Sequence, residues 1–234
     1  MALRFGAPHR HFRVTGSTNT RARELAEAGA PGGAVVTAAE QTAGRGRQGR
    51  VWTAPEGKAL LYSAILRPLD ERHLLLPLAV PLAVCAAAEE LEPGIECRIK
   101  WPNDVWVEER KLAGVLIEAV PQDGWAVIGV GLNLSIEPHE FPADLRHPAT
   151  SLGGGVSREE ARHALDSQLG RWVKSAGDEV LGEWRRRDAL RGREVAWEGG
   201  SGVVDGVDDR GRLVVAVPGG GRAVLGAGEV RLAL

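Results

Sequence analysis

The sequence has few cysteines and lacks any long apolar run. Only two of its 234 residues are cysteine, Cys85 and Cys97, which is typical of a reduced protein rather than a disulfide-stabilised secreted one. The apolar stretch 74–88 is interrupted by Pro77 and Pro81 and falls short of the roughly 18 residues that a membrane span needs. The first residues lack the apolar centre of a signal peptide. The sequence therefore predicts a cytoplasmic protein without a membrane segment.

The charges of the sequence almost cancel. Lysine and arginine together number 29, and aspartate and glutamate number 31, which gives a formal net charge of −2. A chain without excess positive charge has no general attraction to nucleic acid, although a local basic patch still acts at short range. Apolar residues make up 44% of the chain, which is enough for the core of one large domain, alone or with a small one.

Helix and strand patterns are mixed up to about residue 188. Capping residues and periodicity predict helices that end at Gly29, run from about Leu75 to 91 with a kink at Pro81, span 157–176, and surround Trp184. Short apolar runs predict strands at 34–38, 59–68, 95–100, 105–120 (as a hairpin) and 125–136. This mixture favours an α+β fold over a doubly wound α/β sheet, with a first domain at 1–188.

The predicted secondary structure changes after about residue 190, where helical patterns give way to short strands. Short β-type runs follow one another, separated by glycine-rich turns at 208–211 and 218–221 that suit hairpins. The segment 189–234 is therefore predicted to form a small β-barrel or sheet of its own.

The first motif, QTAGRGRQGR at 41–50, combines three arginines with three glycines. Arginine offers a fork of donors that suits carboxylate and phosphate, and glycine lets backbone N–H groups approach an anion. The loop lacks the Gly-Lys-Ser/Thr ending of a Walker A motif. These residues predict an anion-binding loop, with a merely solvated basic loop as the alternative.

The second motif, KWPNDV at 100–105, places Asn103 and Asp104 where a strand meets a turn. A plain Asn-Asp turn is the alternative, since such turns are common. The neighbouring Lys100 and Trp101, and the further lysine Lys111, argue against it. A carboxylate near a lysine and a metal-bound phosphate is an arrangement that supports adenylyl transfer.

Two further motifs place unusual residues at strand and helix positions. In VIGVGLNL at 127–134, Gly129 and Gly131 interrupt a bulky strand, which is costly unless a ligand or backbone comes close, and Asn133 needs a partner. The alternative is a β-bulge with a satisfied asparagine. In GSTN at 16–19, hydroxyls and an amide at a helix N-terminus predict either an anion or carbonyl site or a simple cap.

Together and in this order, the segments 17–19, 41–50, 100–105, 111–118 and 128–134 resemble the biotin protein ligase family. The resemblance covers 17–234. It implies a mixed β-sheet with packed helices, related to class II aminoacyl-tRNA synthetases, and a small C-terminal SH3-like β-barrel at 189–234. It also implies that biotin and ATP, with Mg²⁺, give biotinyl-5′-AMP, from which biotin passes to a lysine of a carboxyl carrier domain, as in acetyl-CoA carboxylase.

The resemblance also assigns roles to residues of the first domain. It implies that biotin contacts Ser17, Thr18, Asn19, Gln41, Gly44, Arg45, Lys111, Gly114, Leu116, Gly129 and Gly131. It implies that the nucleotide contacts Arg45, Arg47, Trp52, Asn103, Lys111 and Asn133. Arg45, Lys111 and Asp104 are the implied catalytic residues: Arg45 closes over the adenylate, Lys111 binds carboxylate and α-phosphate oxygens, and Asp104 helps deprotonate the incoming lysine. No direct protein metal site is implied, because Mg²⁺ arrives on the ATP phosphates, near Asp104.

The resemblance has one departure and leaves alternatives open. Only 16 residues precede Ser17, too few for the winged helix of many bacterial members, so a monofunctional protein without DNA binding is expected. Monomers and homodimers both occur in the family, and a contact of the C-terminal tail with the nucleotide stays open. The alternatives are a lipoate or octanoate ligase or transferase of the same fold, and a non-catalytic biotin sensor, which would not need Lys111 or Asp104.

Overall fold

The computed structural model describes residues 3–143, 145, 147–226, 228 and 230–232. Its α-helices are α1 (Thr18–Glu27), α2 (Leu76–Leu91), α3 (Arg158–Trp172) and α4 (Gly177–Arg187). The strands of a first sheet are β1 (His9–Thr15), β2 (Val35–Gln41), β3 (Ala59–Leu66), β4 (Arg98–Lys100), β5 (Asp104–Val107), β6 (Arg110–Val120) and β7 (Trp125–Asn133). Those of a second are β8 (Glu194–Trp197), β9 (Gly200–Val207), β10 (Leu213–Ala216), β11 (Arg222–Leu225) and β12 (Arg231–Leu232).

The first sheet is mixed and carries helices on both faces, which confirms the α+β prediction. Its strand order is β1-β2-β3-β7-β6-β5-β4, with β1 parallel to β2 and the remaining pairs antiparallel. Side chains alternate across β3, so Leu60 and Tyr62 join the core beneath α2 and α3, whereas Ile65 packs with Ala22 and Ala26 of α1. The central strands β3 and β7 are almost entirely buried.

The edge strand β1 was not predicted from the sequence. Its residues, HRHFRVT, place histidines and arginines where an apolar run would normally indicate a strand. Such charged residues suit the exposed edge of a sheet, because they discourage pairing with another chain. His9 and His11 both lie within hydrogen-bond distance of the Thr37 hydroxyl on β2, at 2.8 and 2.9 Å.

The predicted helices are present with adjusted boundaries. Ser157 and Glu160 form the predicted capping box of α3. Pro77 lies in the first turn of α2, and this helix continues through Pro81 to Leu91, as predicted. In the predicted 105–120 hairpin, the turn residues Glu108 and Glu109 both have positive φ, at 48° and 60°, as a two-residue type I′ turn requires.

The second sheet is antiparallel, in the order β11-β10-β9-β8-β12, and both predicted hairpin turns connect neighbouring strands. Among the described residues no pairing joins β11 to β12, so the SH3-like barrel and the domain boundary at 188 and 189 stay predictions. Residues 227, 229, 233 and 234 of the tail lie outside the described part. The indole N–H of Trp101 donates to the Gly211 carbonyl (3.1 Å) and the Lys100 ammonium to that of Val230 (3.1 Å), which fastens this part of the chain to the end of β4 in the first sheet.

Both cysteines are buried in the core as free thiols. Within the described ranges, the helices are too short or too polar to cross a membrane.

Asp188, at the C-terminal end of α4, makes stability depend on pH. Its carboxylate is 8% exposed, accepts a hydrogen bond from the Leu190 N–H (2.8 Å), and leaves its second oxygen without a partner among the described groups. Burial raises its pKa to about 6, against the lowering effect of the backbone N–H groups of Leu190 and Arg191. A raised pKa stabilises the fold below the unfolded-state pKa, and this contribution is lost as the pH rises through the folded-state value.

The free energy of unfolding should therefore fall by roughly 1 kcal/mol between pH 5 and pH 7.5 because of this group. Asp188→Asn should remove that part of the slope in urea titrations, while the exposed Asp123→Asn should retain it. An unchanged slope in Asp188→Asn would show that another group is responsible.

Candidate functional site

Three glycines form the floor of a cavity on the α1 side of the first sheet. In the β6–β7 pairing, Gly114 lies opposite Gly131, and Leu116 opposite Gly129. A Cβ atom at Gly129 would lie 2.1 Å from Asn19 Oδ1, and one at Gly131 would lie 2.4 Å from the Trp52 indole. The pairings of β7 with β3 and β6 run without a register shift, so the β-bulge alternative is wrong. The glycines instead permit the close approach of side chains from above.

One wall of this cavity is the N-terminus of α1. The backbone N–H and the hydroxyl of Thr18 donate to Gln41 Oε1, at 2.7 and 3.0 Å. Ser63 Oγ lies 2.6 Å from Asn19 Oδ1 and 2.8 Å from Thr18 Oγ1. Ser17 is buried at the N-cap position, but its side chain makes no capping hydrogen bond. The helix end is therefore held by Gln41, and the Ser17 hydroxyl stays available to a ligand.

The opposite wall is the arginine–glycine loop between β2 and β3. The loop folds back on itself: the Gly46 N–H donates to the Arg50 carbonyl (2.7 Å) and the Trp52 N–H to that of Gly44 (3.0 Å). A Cβ atom at Gly44 would lie 2.2 Å from the Trp52 carbonyl oxygen, so this position requires glycine. The Arg45 guanidinium forms an ion pair with Glu118 of β6, with 2.9 Å between Nη2 and Oε1.

Lys111 and Asp104 form an ion pair at the mouth of the cavity, with 2.7 Å between Lys111 Nζ and Asp104 Oδ1. The ammonium lies 5.4 Å from the centre of the Trp52 ring, within the range of a cation–π contact. Burial lowers the pKa of the Arg47 guanidinium, and the nearby Asp104 carboxylate opposes that shift. Three cations, those of Arg45, Arg47 and Lys111, thus surround the cavity, an arrangement that attracts an anion.

The two asparagines that were predicted to contact nucleotide also hold the backbone. Asn103 Nδ2 donates to the Val115 carbonyl (2.7 Å), and Asn133 Nδ2 donates to that of Thr150 (2.9 Å). The Lys111 N–H donates to the Pro148 carbonyl (2.7 Å). The last two of these bonds position the segment around 148–150 beside Lys111. Lys100 and Trp101, by contrast, fasten the second sheet and take no part in the cavity.

The cavity has a volume of about 110 Å³. Of the sixteen site residues that the resemblance implies, Gly44 and Asn133 are the two that do not line the cavity. The fourteen that do are Ser17, Thr18, Asn19, Gln41, Arg45, Arg47, Trp52, Asn103, Asp104, Lys111, Gly114, Leu116, Gly129 and Gly131. The structure thus brings motifs from five separate segments into one place.

Sequence reasoning missed Ser63 and Glu118, which do not line the cavity but hold side chains that do. Ser63 lies inside a fully buried strand and contacts Thr18 and Asn19. Glu118 contacts both Asn19 and Arg45. A signal for Glu118 was present, because it is a charged residue in an apolar run and follows Gly114 and Leu116 at the two-residue spacing of one strand face.

A second cleft of about 530 Å³ lies on the far side of the Lys111–Asp104 pair. It shares Trp52 with the first cavity and has apolar and aromatic walls, which include Phe141, Pro142, Leu145, His147 and Ala149, with Asn133 at its edge. The site therefore has two chambers, one small and polar and one wider and more apolar, with cations at their junction. Among the described residues no group of three or more His, Cys, Asp or Glu side chains converges on a common metal position.

Comparison with known proteins gives a consistent result. Residues 11–134 match the model of the biotin/lipoate A/B protein ligase family. The bifunctional ligase/repressor BirA of Bacillus subtilis is 41% identical over 144 residues, which cover 59% of this chain and 44% of BirA. This chain therefore spans less than half the length of that relative.

Two other relatives match over nearly the full chain. The biotin--[acetyl-CoA-carboxylase] ligase of Mycobacterium tuberculosis is 36% identical over 235 residues, which cover 92% of this chain and 85% of that protein. The solved structure of the biotin protein ligase from Aquifex aeolicus in complex with biotin and ATP superposes with a TM-score of 0.82 at 30% identity, covering 97% and 99% of the two chains.

Proposed function

Because the chain belongs to the biotin/lipoate A/B protein ligase family, we propose that it activates biotin with ATP to biotinyl-5′-AMP and transfers biotin to a lysine of a carrier domain. The observation that carries this proposal is the meeting of two chambers at Lys111, with Arg45 and Arg47 lining the smaller of them. A reaction between a carboxylate and a phosphate needs both anions at one place, with cations to offset their charge. The names of the Mycobacterium and Aquifex relatives support the choice of substrates.

The small chamber suits the ring system of biotin. Biotin carries a ureido group with two N–H donors and one carbonyl acceptor, and the chamber offers the hydroxyls of Ser17 and Thr18 and the amide of Gln41. The glycine floor leaves space for a flat bicyclic ring, and Leu116 supplies an apolar contact. In this pose the biotin carboxylate points towards Arg45 and Lys111.

The wider chamber suits the nucleotide. Trp52, Phe141 and His147 offer aromatic surfaces for a purine. Lys111 lines both this chamber and the first, and Arg47 lines the first. The biotin carboxylate oxygen would attack the α-phosphorus, and the bond to pyrophosphate would break. Lys111 and Arg47 would offset the charge that builds up on the phosphorus oxygens. Arg45 would close over the product and exclude water from the labile anhydride.

In the second step a lysine amine of the carrier would attack the acyl carbon, and AMP would leave. The attacking amine must first lose a proton, and Asp104 is the carboxylate that lines the cavity next to Lys111. The same carboxylate suits Mg²⁺ brought by ATP, because this ion is usually held by one or two carboxylates together with phosphates. Mg²⁺, when bound, would neutralise part of the phosphate charge.

The carrier is proposed to be the biotin carboxyl carrier domain of a biotin-dependent carboxylase, in line with the name of the Mycobacterium relative. The two free, buried thiols favour a reducing compartment, and we propose the cytoplasm.

Biotin-dependent exchange of pyrophosphate into ATP tests the proposal directly. The purified chain should exchange label with biotin and not with lipoate or octanoate, because neither has a ureido group for Ser17, Thr18 and Gln41. Exchange with lipoate or octanoate alone would support the adenylation reaction but show that biotin is not the substrate. Tight biotin binding without any exchange would indicate that the protein is a non-catalytic biotin sensor rather than an enzyme.

A further inference from the structure

Glu118 on β6 joins the two walls of the cavity through one carboxylate. Its Oε2 accepts a hydrogen bond from Asn19 Nδ2 of α1 (2.7 Å), and its Oε1 pairs with Arg45 Nη2 of the arginine–glycine loop (2.9 Å). A second, longer contact from Arg45 Nη1 to Oε2 (3.5 Å) makes the pair nearly bidentate. Besides the Trp52 ring, the loop therefore contacts the sheet through the guanidinium that is expected to meet the ligand.

The two contacts of Glu118 differ in how easily a ligand can displace them. The Asn19 side chain is buried and its amide is fixed on both sides, by Glu118 and by Ser63. The Arg45 side chain is 48% exposed, and that of Glu118 is 20% exposed. A half-exposed ion pair shifts an equilibrium by at most about five-fold, so an incoming carboxylate or phosphate can displace it.

We propose that Glu118 is a positioning residue that holds Arg45 in the empty enzyme and releases it to the anionic ligand. The inference rests on the proposed function for the identity of that ligand. When the biotin carboxylate or the α-phosphate enters, Arg45 turns from Glu118 to the ligand, while Asn19 keeps the Glu118 carboxylate on the wall. Glu118 thus keeps the loop folded before binding and competes with the ligand for the same guanidinium.

This role predicts the direction in which Glu118→Gln changes both protease sensitivity and KM. The glutamine oxygen can still accept from Asn19, but the charge that holds Arg45 is gone. In the empty enzyme, trypsin should cleave after Arg45, Arg47 and Arg50 about two- to five-fold faster, because the loop is held less firmly. In pyrophosphate exchange, KM for biotin or ATP should fall by the same factor with kcat little changed, because the competitor for Arg45 is weaker.

Two variants show whether the effect passes through Arg45. Glu56→Gln is the matched control, because Glu56 lies at the end of the same loop and pairs with Arg13 (3.3 Å) outside the cavity. It should change neither trypsin cleavage nor KM. In an Arg45→Gln background, the further change Glu118→Gln should have no effect on KM. An equal effect in both backgrounds would mean that Glu118 acts through Asn19, and it would overturn the proposal.

The trypsin and exchange measurements separate this proposal from the proposed function. If the wild-type chain exchanges with none of the three acids, the ligase reaction is wrong, but trypsin cleavage of the empty protein still decides whether Glu118 holds the loop. Unchanged cleavage, or a higher KM in Glu118→Gln, would overturn the role of Glu118. Glu118→Asp, which keeps the charge, should recover at least part of the resistance to trypsin; failure to do so would count against an ionic contact.

Discussion

Lys111→Ala is expected to slow adenylate formation by roughly 100- to 1,000-fold while the protein stays folded. Its ammonium lines both chambers, 2.7 Å from Asp104 and above the Trp52 ring. Removing it takes away positive charge where negative charge builds up in the proposed reaction. The neighbouring chain is held by the Lys111 backbone N–H and carbonyl, which alanine retains.

Pyrophosphate exchange at saturating biotin and ATP measures this loss, with a thermal melt to show that the variant is folded. Lys174→Ala is the control, because Lys174 is an exposed lysine beyond the end of α3 and its loss changes the net charge equally. It should exchange at the wild-type rate. Normal exchange by Lys111→Ala would remove this residue from the mechanism and leave Arg45 and Arg47 as the charged groups to test.

Gly129→Ala is expected to lower kcat/KM for biotin by roughly 30- to 150-fold, the equivalent of about 2–3 kcal/mol. The added methyl would lie 2.1 Å from Asn19 Oδ1, and because β7 is paired on both sides, Asn19 must move. Asn19 would then lose its contacts with Ser63 and Glu118, and the wall of the small chamber would shift. The loss should appear mainly in KM for biotin.

Gly182→Ala provides the matched control, since a methyl group there would meet no atom within 4 Å and the residue lies in α4. The same chemical change should leave exchange untouched and stabilise the helix by up to roughly 1 kcal/mol. Isothermal titration with biotin would separate a binding defect from a catalytic one. Wild-type biotin affinity in Gly129→Ala would mean that the Asn19 wall takes no part in binding.

Much of the site could be predicted because its residues break local rules. Gly129 and Gly131 interrupt a bulky strand, and three arginines share a loop with glycines, so each motif pointed to a ligand or a close contact. Fourteen residues from such segments line one cavity. The α+β class and the helices followed from periodicity and capping, whereas the mixed sheet was an implication of the family resemblance.

Other features depend on tertiary neighbours and left weak signals. The edge strand β1 contains arginines and histidines, so its alternation does not indicate a buried face. Lys100 and Trp101 flank the Asn103–Asp104 turn in sequence, yet their side chains point to the second sheet. The role of Glu118 depends on Asn19, which is 99 positions away along the chain.

The double use of the 100–104 turn decides where this protein can carry a tag. Its first two residues hold the second sheet and its last two line the cavity. A displacement of the second sheet at this contact would therefore also move the cavity residues. The hairpin at 208–211 lies in that path, because Gly211 accepts the Trp101 hydrogen bond and packs near Leu78. The hairpin at 218–221 is exposed and far from the turn in the strand order. A fluorophore or an affinity peptide therefore belongs in the second hairpin and not in the first.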